Sequence, residues 1–302
     1  MHIATRGSQL ALWQARTTQA ALGDGHELLT VKSSGDLDRE TELARFGRIG
    51  IFTAEVDRAV LDGRAAIGVH SMKDMTTTLQ EGVVLAGCLP RGLVEDALIT
   101  KHGGGLDDLE VGSRVGTGSM RRGSMVRAAR RGLEVVPQRG NVNTRLAHVL
   151  EGDLDACLLA RAGLERLGLA EHISEVLNVD RFLPAVGQGI VGITCREDDE
   201  ATRALLESRL RDPEAWAAAL AERAFLRGTN GGCNAPIAGH ATVDDGAIHL
   251  RGRVLSLDGT QVLEGEARGG MSDAEALGAT LADDLLSRGA GELVDQARRL
   301  TS

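Results

Sequence analysis

Val115-Gly116-Thr117-Gly118-Ser119-Met120-Arg121-Arg122 compresses a strand end, a turn and a helix start into one short stretch. The apolar residue runs into two glycines, which let the backbone turn tightly, and Ser119 is a residue type that caps helices. A helix begun there presents unpaired N–H groups and partial positive charge beside two guanidiniums, and guanidiniums bind carboxylates or phosphates through two parallel hydrogen bonds. The GxxxxGK[ST] spacing of a nucleotide-binding loop is absent. Taken alone, the stretch leaves open, as the lesser alternative, an ordinary helix start bearing exposed arginines.

Outward from this stretch the same step recurs. Val135-Val136-Pro137-Gln138-Arg139-Gly140-Asn141 is a second strand and turn, with Arg145 one turn into the helix that follows. His2–Ala4 runs into Arg6-Gly7-Ser8, where Ser8 can cap a helix bearing Leu10, Trp13 and Ala20. Ile67–Val69 is a buried-strand run that leads into His70-Ser71-Met72-Lys73-Asp74. Further strands are expected at 28–31, 83–89, 97–100 and 156–160, and a helical face at Phe52, Val56, Ala59 and Val60 ends at Gly63. Strand–helix alternation of this kind predicts α/β layers with largely parallel sheets. Ligands of such sheets bind beyond the carboxyl ends of the strands, so arginines at three of these junctions can line one crevice for a polyanion. A lysine and an aspartate at a strand's end stand where an α/β protein does chemistry, and an aspartate there can offset a developing cation or exchange protons with a leaving amine.

From about residue 212 the pattern changes. A helical stretch at 215–227 is followed by strand-like runs at 237–243, 248–257 and 261–267, separated by Asp244-Asp245-Gly246 and Asp258-Gly259, and then by helical stretches at 273–287 and 292–300. This predicts a separate α+β unit with an antiparallel sheet.

Charge and composition narrow the function. The 302 residues carry a net charge of −9, yet residues 111–150 hold eight arginines and a single acid, Glu134. The acidic net charge argues against nucleic acid or an anionic membrane as partner, and the basic island within it fits a local anion site. Aromatic residues make up 2% of the chain and tyrosine is absent, so stacking platforms for single strands are not available. No apolar run is long enough to cross a bilayer and the N-terminus does not read as a secretory signal, so a cytoplasmic protein is expected. The four cysteines show no CxxC or CxxH spacing, and no metal is expected. Cys88, Cys157 and Cys195 sit in apolar strand runs; Cys233 follows two glycines in Gly231-Gly232-Cys233-Asn234-Ala235-Pro236, open to a reactant and so a covalent attachment point, or else a structural thiol.

The stretches ATRGSQLALWQA, GIFTAEVDRAVLDGRAAIGVHSMKD, VGTGSMRR, QRGNVNTRL, LPAVGQGI and ERAFLRGTNGGCNAPIAG occur in this order over nearly the whole chain. Together they resemble the porphobilinogen deaminase (hydroxymethylbilane synthase) family of tetrapyrrole biosynthesis. The resemblance implies two lobes like those of periplasmic binding proteins, residues 1–89 with 190–208 and residues 95–184, and a small C-terminal α+β domain with a three-stranded antiparallel sheet, residues 212–302. It implies a dipyrromethane cofactor held by a thioether to Cys233, on which four porphobilinogens condense head to tail with loss of ammonia before water releases 1-hydroxymethylbilane. By the same resemblance Asp74 matches the catalytic acid. Lys73, Ser119, Arg121 and Arg122 match cofactor anchors, and Arg6, Ser8, Arg139, Arg145 and Gln188 match the substrate side, Gln188 within the hinge pattern. A monomer with porphobilinogen as its partner is implied. Gly47-Arg48-Ile49-Gly50 stands where the family usually has GGKG, and 91–97 departs from its RxDPRDA run. The alternatives are a two-lobed anion binder without catalysis and a silent paralogue.

Overall fold

The computed structural model of the chain describes residues 1–31, 53–232 and 235–300. Ile49, Phe52 and Cys233 lie outside the described residues.

Among the described residues, two five-stranded sheets and one three-stranded sheet organise the fold. In the first, β1 (His2–Arg6) pairs in parallel with both β2 (Glu27–Val31) and β3 (Ile67–Ser71). Ser8 Oγ accepts from Ala11 N at 3.3 Å and so starts α1 (Gln9–Leu22) directly beyond β1, which satisfies one of the donors a helix start leaves orphaned. A second helix, α2 (Ala54–Leu61), precedes β3, and β4 (Val83–Cys88) follows it. Ile3, Ile67, Val69 and Ile193 are buried in one core beneath α1.

The second sheet is formed by β5 (Asp96–Thr100), β6 (Arg114–Thr117), β7 (Glu134–Pro137), β8 (Ala156–Ala160) and β9 (Glu175–Val176). Between them run α3 (Met120–Ala129), α4 (Val142–Leu150) and α5 (Arg161–Arg166). The chain then returns to the first sheet as β10 (Val191–Arg196). The two sheets share one plan: the strand orders are β2-β1-β3-β10-β4 and β7-β6-β8-β5-β9. In each, the strand next to a lobe crossing is inserted antiparallel between two others. Four of the five strands in each sheet run the same way, in line with the expected largely parallel sheets, and the inserted strand is the departure. Local alternation reveals successive parallel steps, but not a strand delivered by a distant part of the chain.

The third sheet is the expected meander of β11 (Ile237–Asp244), β12 (Ala247–Leu255) and β13 (Val262–Gly270). Asp245 and Gly246 both take positive φ in the first hairpin, the turn whose twist matches antiparallel strands. Beyond β10 lies α6 (Glu200–Leu210), followed by α7 (Pro213–Gly228), capped by Asp212 Oδ1 accepting from Ala215 N at 2.9 Å. With α8 (Ala274–Ser287) and α9 (Ala290–Arg299), α7 covers the meander around Phe225, Leu250 and Leu281. No helix among the described residues is long and apolar enough to cross a membrane.

Candidate active site

The carboxyl ends of β1, β3, β6 and β7 carry nearly all the side chains singled out from the sequence. Arg6 ends β1 and Ser8 caps α1; Ser71 ends β3 and a 3-10 turn, Met72–Asp74, follows at once. Thr117 ends β6 and Ser119 caps α3, while Arg139 stands exposed in the turn between β7 and α4. The two lobes touch across the cleft where Asn143 Nδ2 donates to Gln9 Oε1 at 3.0 Å.

On the first-lobe side, Arg6, Ser8, Gln14, Ser71 and Asp74 help line a cavity of about 70 Å³. Gln14 Nε2 donates to Ser71 Oγ at 2.8 Å and so orients the end of β3. Asp74 is exposed at the cleft. Lys73 beside it is pulled down to about 8, mainly by burial and further by Arg122 and Arg121, against the opposing pull of Asp74 and Asp96.

On the second-lobe side, Arg121 and Arg122 converge on Asp96, the first residue of β5. Arg121 Nη1 donates to Asp96 Oδ2 at 2.8 Å, and Arg122 reaches Asp96 Oδ1 through Nη2 at 2.8 Å and Nε at 3.0 Å. Burial would raise the Asp96 carboxyl, but the two guanidiniums outweigh it and hold the group well below the usual carboxylate range. Ser119 Oγ accepts from Arg122 N, so its hydroxyl proton can still be donated to a ligand. Arg145 is half-buried; Nε donates to Gly140 O at 2.8 Å. Its pKa is lowered by burial and then by Arg122, while Asp74 opposes the shift. Lys73, Asp74, Arg122 and Arg145 thus belong to one electrostatic neighbourhood.

Gln188 is buried between the two lobe crossings rather than on the cleft surface. Its Nε2 donates to Val94 O at 2.6 Å and Asp96 Oδ1 at 2.9 Å, and the backbone carbonyl of Gln188 accepts from Arg91 Nε at 3.0 Å. Cys88, Cys157 and Cys195 are buried, and burial raises their thiols to about 12, 11 and 11. They are inert core residues, as their strand positions suggest.

Asp96 is the group that sequence reasoning missed. A single acid preceding an apolar strand gives no local sign that two arginines from a later helix will close on it. Arg166, stacked 4.9 Å from the Trp13 ring centre across the lobes, was missed for the same reason.

The neighbourhood suits a ligand with many carboxylates. Burial and crowding by other cations lower the proton affinity of both Lys73 and Arg145, and the negative charge of bound carboxylates opposes that shift. Arg121 Nε is buried without a hydrogen-bond partner among the described residues. Residues able to hold a dipyrromethane are therefore present.

Comparison with known proteins agrees. A family profile described as porphobilinogen deaminase, dipyromethane cofactor binding domain, matches residues 1–204, and one described as porphobilinogen deaminase, C-terminal domain, matches residues 216–287. Similar relatives include the porphobilinogen deaminase of Syntrophotalea carbinolica, 42% identical over 97% of this chain and 95% of its own. That of Moorella thermoacetica is 44% identical over 98% and 96%. Among solved structures, the methionine binding protein MetQ is similar over 72% of this chain and 90% of its own, at 14% identity and a TM-score of 0.43.

Proposed function

This chain belongs to the porphobilinogen deaminase family, and from that premise we propose which of its residues do the work. The enzyme condenses four porphobilinogens head to tail with loss of ammonia, giving 1-hydroxymethylbilane for tetrapyrrole biosynthesis, and it carries a dipyrromethane cofactor. When bound through Cys233, that group supplies the pyrrole α-carbon at which the chain of rings grows.

Asp74 is the catalytic acid in this reading. As an exposed carboxylate at the carboxyl end of β3, it accepts N–H bonds from the substrate pyrrole and from the departing amine, which it helps to leave in protonated form. Its negative charge offsets the cation left on the substrate when ammonia leaves. Lys73, Ser119, Arg121 and Arg122 anchor cofactor carboxylates, and Arg6, Ser8, Arg139 and Arg145 take those of incoming substrate. Gln188 acts from the hinge, where its amide ties the second lobe's Asp96 to the linker carbonyl of Val94.

The observation that carries this assignment is the meeting of Lys73 and Arg145 with Asp74 at the strand ends, with Arg122 close to both cations, a site with more cationic groups than anions. We further take the enzyme to be a cytoplasmic monomer with three domains, 1–89 with 190–208, 95–184 and 212–302, a division supported by the separate sheets. The net charge of −9 and the cleft's carboxylate-seeking chemistry support a small-molecule partner alone.

Intact-protein mass spectrometry on the purified chain tests the reading, together with consumption of porphobilinogen. We expect an adduct of two pyrrole units on Cys233 and active turnover. Asp74→Asn should keep the adduct and lose turnover by about a hundredfold or more. An unmodified Cys233 in active protein, or a wild-type rate in Asp74→Asn, overturns the assignment.

A further inference from the structure

The turn that carries Asp74 is packed against the C-terminal domain as well as its own lobe. Met72 and Met75, which bracket Lys73 and Asp74, share a buried cluster with Ala215 and Ala219 of α7 and with Cys88 and Ile190. Met75 N donates to Met72 O at 3.0 Å and closes the turn. Two helical turns beyond Ala215, Arg223 reaches back from α7 to the same segment. Its Nη2 donates to Thr76 O at 2.8 Å and Thr77 O at 3.2 Å. Arg223 is 8% exposed, so these carbonyls are engaged by a charged donor largely removed from water. Such charge-assisted bonds are roughly twice as strong as neutral ones, and a guanidinium fixes direction as well as distance. From Arg223, α7 runs on to Gly228 and the glycine turn that leads to Cys233.

We propose that Arg223 is a positioning residue for the condensation: it fastens the segment just after Asp74 to the helix leading to the attachment cysteine. The segment bearing the catalytic carboxylate is thereby fixed to the helix that precedes the attachment cysteine in the chain. The apolar cluster alone gives attraction without direction, since methionine side chains adapt to many packings. Arg223 supplies the direction. A displacement of about 1 Å at the carboxylate is enough to cost about a hundredfold in rate, so the fastening acts on turnover rather than on substrate binding.

The inference rests on the assignment of Asp74 and Cys233 made above, and its test separates the two. Holoenzyme of the wild type and of Arg223→Leu, Arg223→Gln and Arg223→Lys is compared for adduct mass, kcat and KM. Hydrogen exchange across residues 72–80 is measured in parallel. In Arg223→Leu we expect an intact adduct, a KM within about twofold of wild type and faster exchange in that segment. Its kcat should fall about tenfold to a hundredfold. Lysine should restore most of kcat, because its ammonium can donate to both carbonyls, and glutamine should restore less; if Arg223→Leu does not fold, Arg223→Gln takes its place. A wild-type kcat in the leucine or glutamine variant with its adduct intact overturns the proposal, as does a lysine variant no faster than leucine or glutamine. A wild-type protein without adduct or turnover overturns the parent assignment instead.

Discussion

Lys73 and Asp96 have opposite electrostatic situations within one cleft. Asp96 has two guanidiniums and stays ionised under all ordinary conditions. Lys73 is a cation that burial and its arginine neighbours push toward neutrality, down to about 8. A lysine whose folded-state pKa is lowered is charged below about 8 and loses its proton as pH rises through that value, well before an unfolded chain would at about 10.4. Folding stability therefore gains from Lys73 deprotonation between about 8 and 10.4, while the ability to hold a carboxylate is lost over the same window. We expect protein produced without porphobilinogen to assemble its cofactor progressively more slowly as pH rises through about 8. Lys73→Arg should remove that inflection, because a guanidinium stays charged. The check is the rate of adduct formation from pH 6.5 to 9.5, followed by mass spectrometry; identical profiles for the two proteins would remove Lys73 from cofactor binding. The strand-end position of Lys73-Asp74 was legible in the sequence because a buried apolar run stops just before it. Its proton affinity was not, because that depends on arginines contributed by another lobe.

At the scale of single elements, α3 shows how far local signals reach. Ser119 as cap, the helix start at Met120 and the strand before it could all be read from neighbouring residues, since capping is chemistry within one turn. What α3 touches could not be read. Its far end receives the hairpin between β12 and β13, where Ser124 Oγ and Arg127 Nη1 donate to Leu257 O at 3.5 and 3.0 Å. Gly259, at φ +73°, lies so close that a Cβ there would stand 2.5 Å from Ala128 N. The antiparallel insertion of β5 and β10 was hidden for the same reason: each strand looks like its neighbours, and only the lobe crossing sets its direction. Ser119 lends itself to a test of dual use. Removing the cap in Ser119→Ala should cost about 1 kcal/mol by denaturant unfolding in protein lacking the cofactor. If the hydroxyl also donates to a cofactor carboxylate, the loss should be larger in adduct-bearing protein, by roughly another 1.5–3 kcal/mol for a bond to a charged group. Equal losses in the two forms would limit Ser119 to capping.

For the whole molecule, the decisive contact is a single carboxylate where all three sheets' territories meet. Glu222 of α7 is fully buried and accepts from Arg91 Nη1 at 2.5 Å, from Gly187 N at 2.6 Å and from Ala241 N at 2.7 Å. Arg91 lies on the outward crossing between lobes, Gly187 on the return crossing and Ala241 on β11, so one side chain ties both crossings to the C-terminal sheet. The second lobe has further ties to that sheet: Ala238 and Leu255 lie in its core, and Arg253 donates to Asp180 O and Arg181 O at 2.8 and 2.9 Å. Beyond Glu222, the crossings meet that sheet where Arg91 Nη1 donates to Ala241 O at 3.2 Å, Gly239 N donates to Pro184 O at 3.1 Å and Val186 packs into the C-terminal core. Glu222→Ala would take the carboxylate away from the largely buried Arg91 guanidinium, leaving it two carbonyl acceptors, and from two backbone N–H groups, and breaking a buried pair on one side costs about 3–5 kcal/mol. Because that cost falls on the crossings, we expect more than a uniform loss of stability. The first lobe should uncouple, so that denaturant unfolding followed by Trp13 in α1 and by Trp216 in α7 gives two separated midpoints where the wild type gives one. Coincident midpoints with less than about 1 kcal/mol lost would mean that the apolar cluster of Met72, Met75 and α7 holds the three parts together without Glu222.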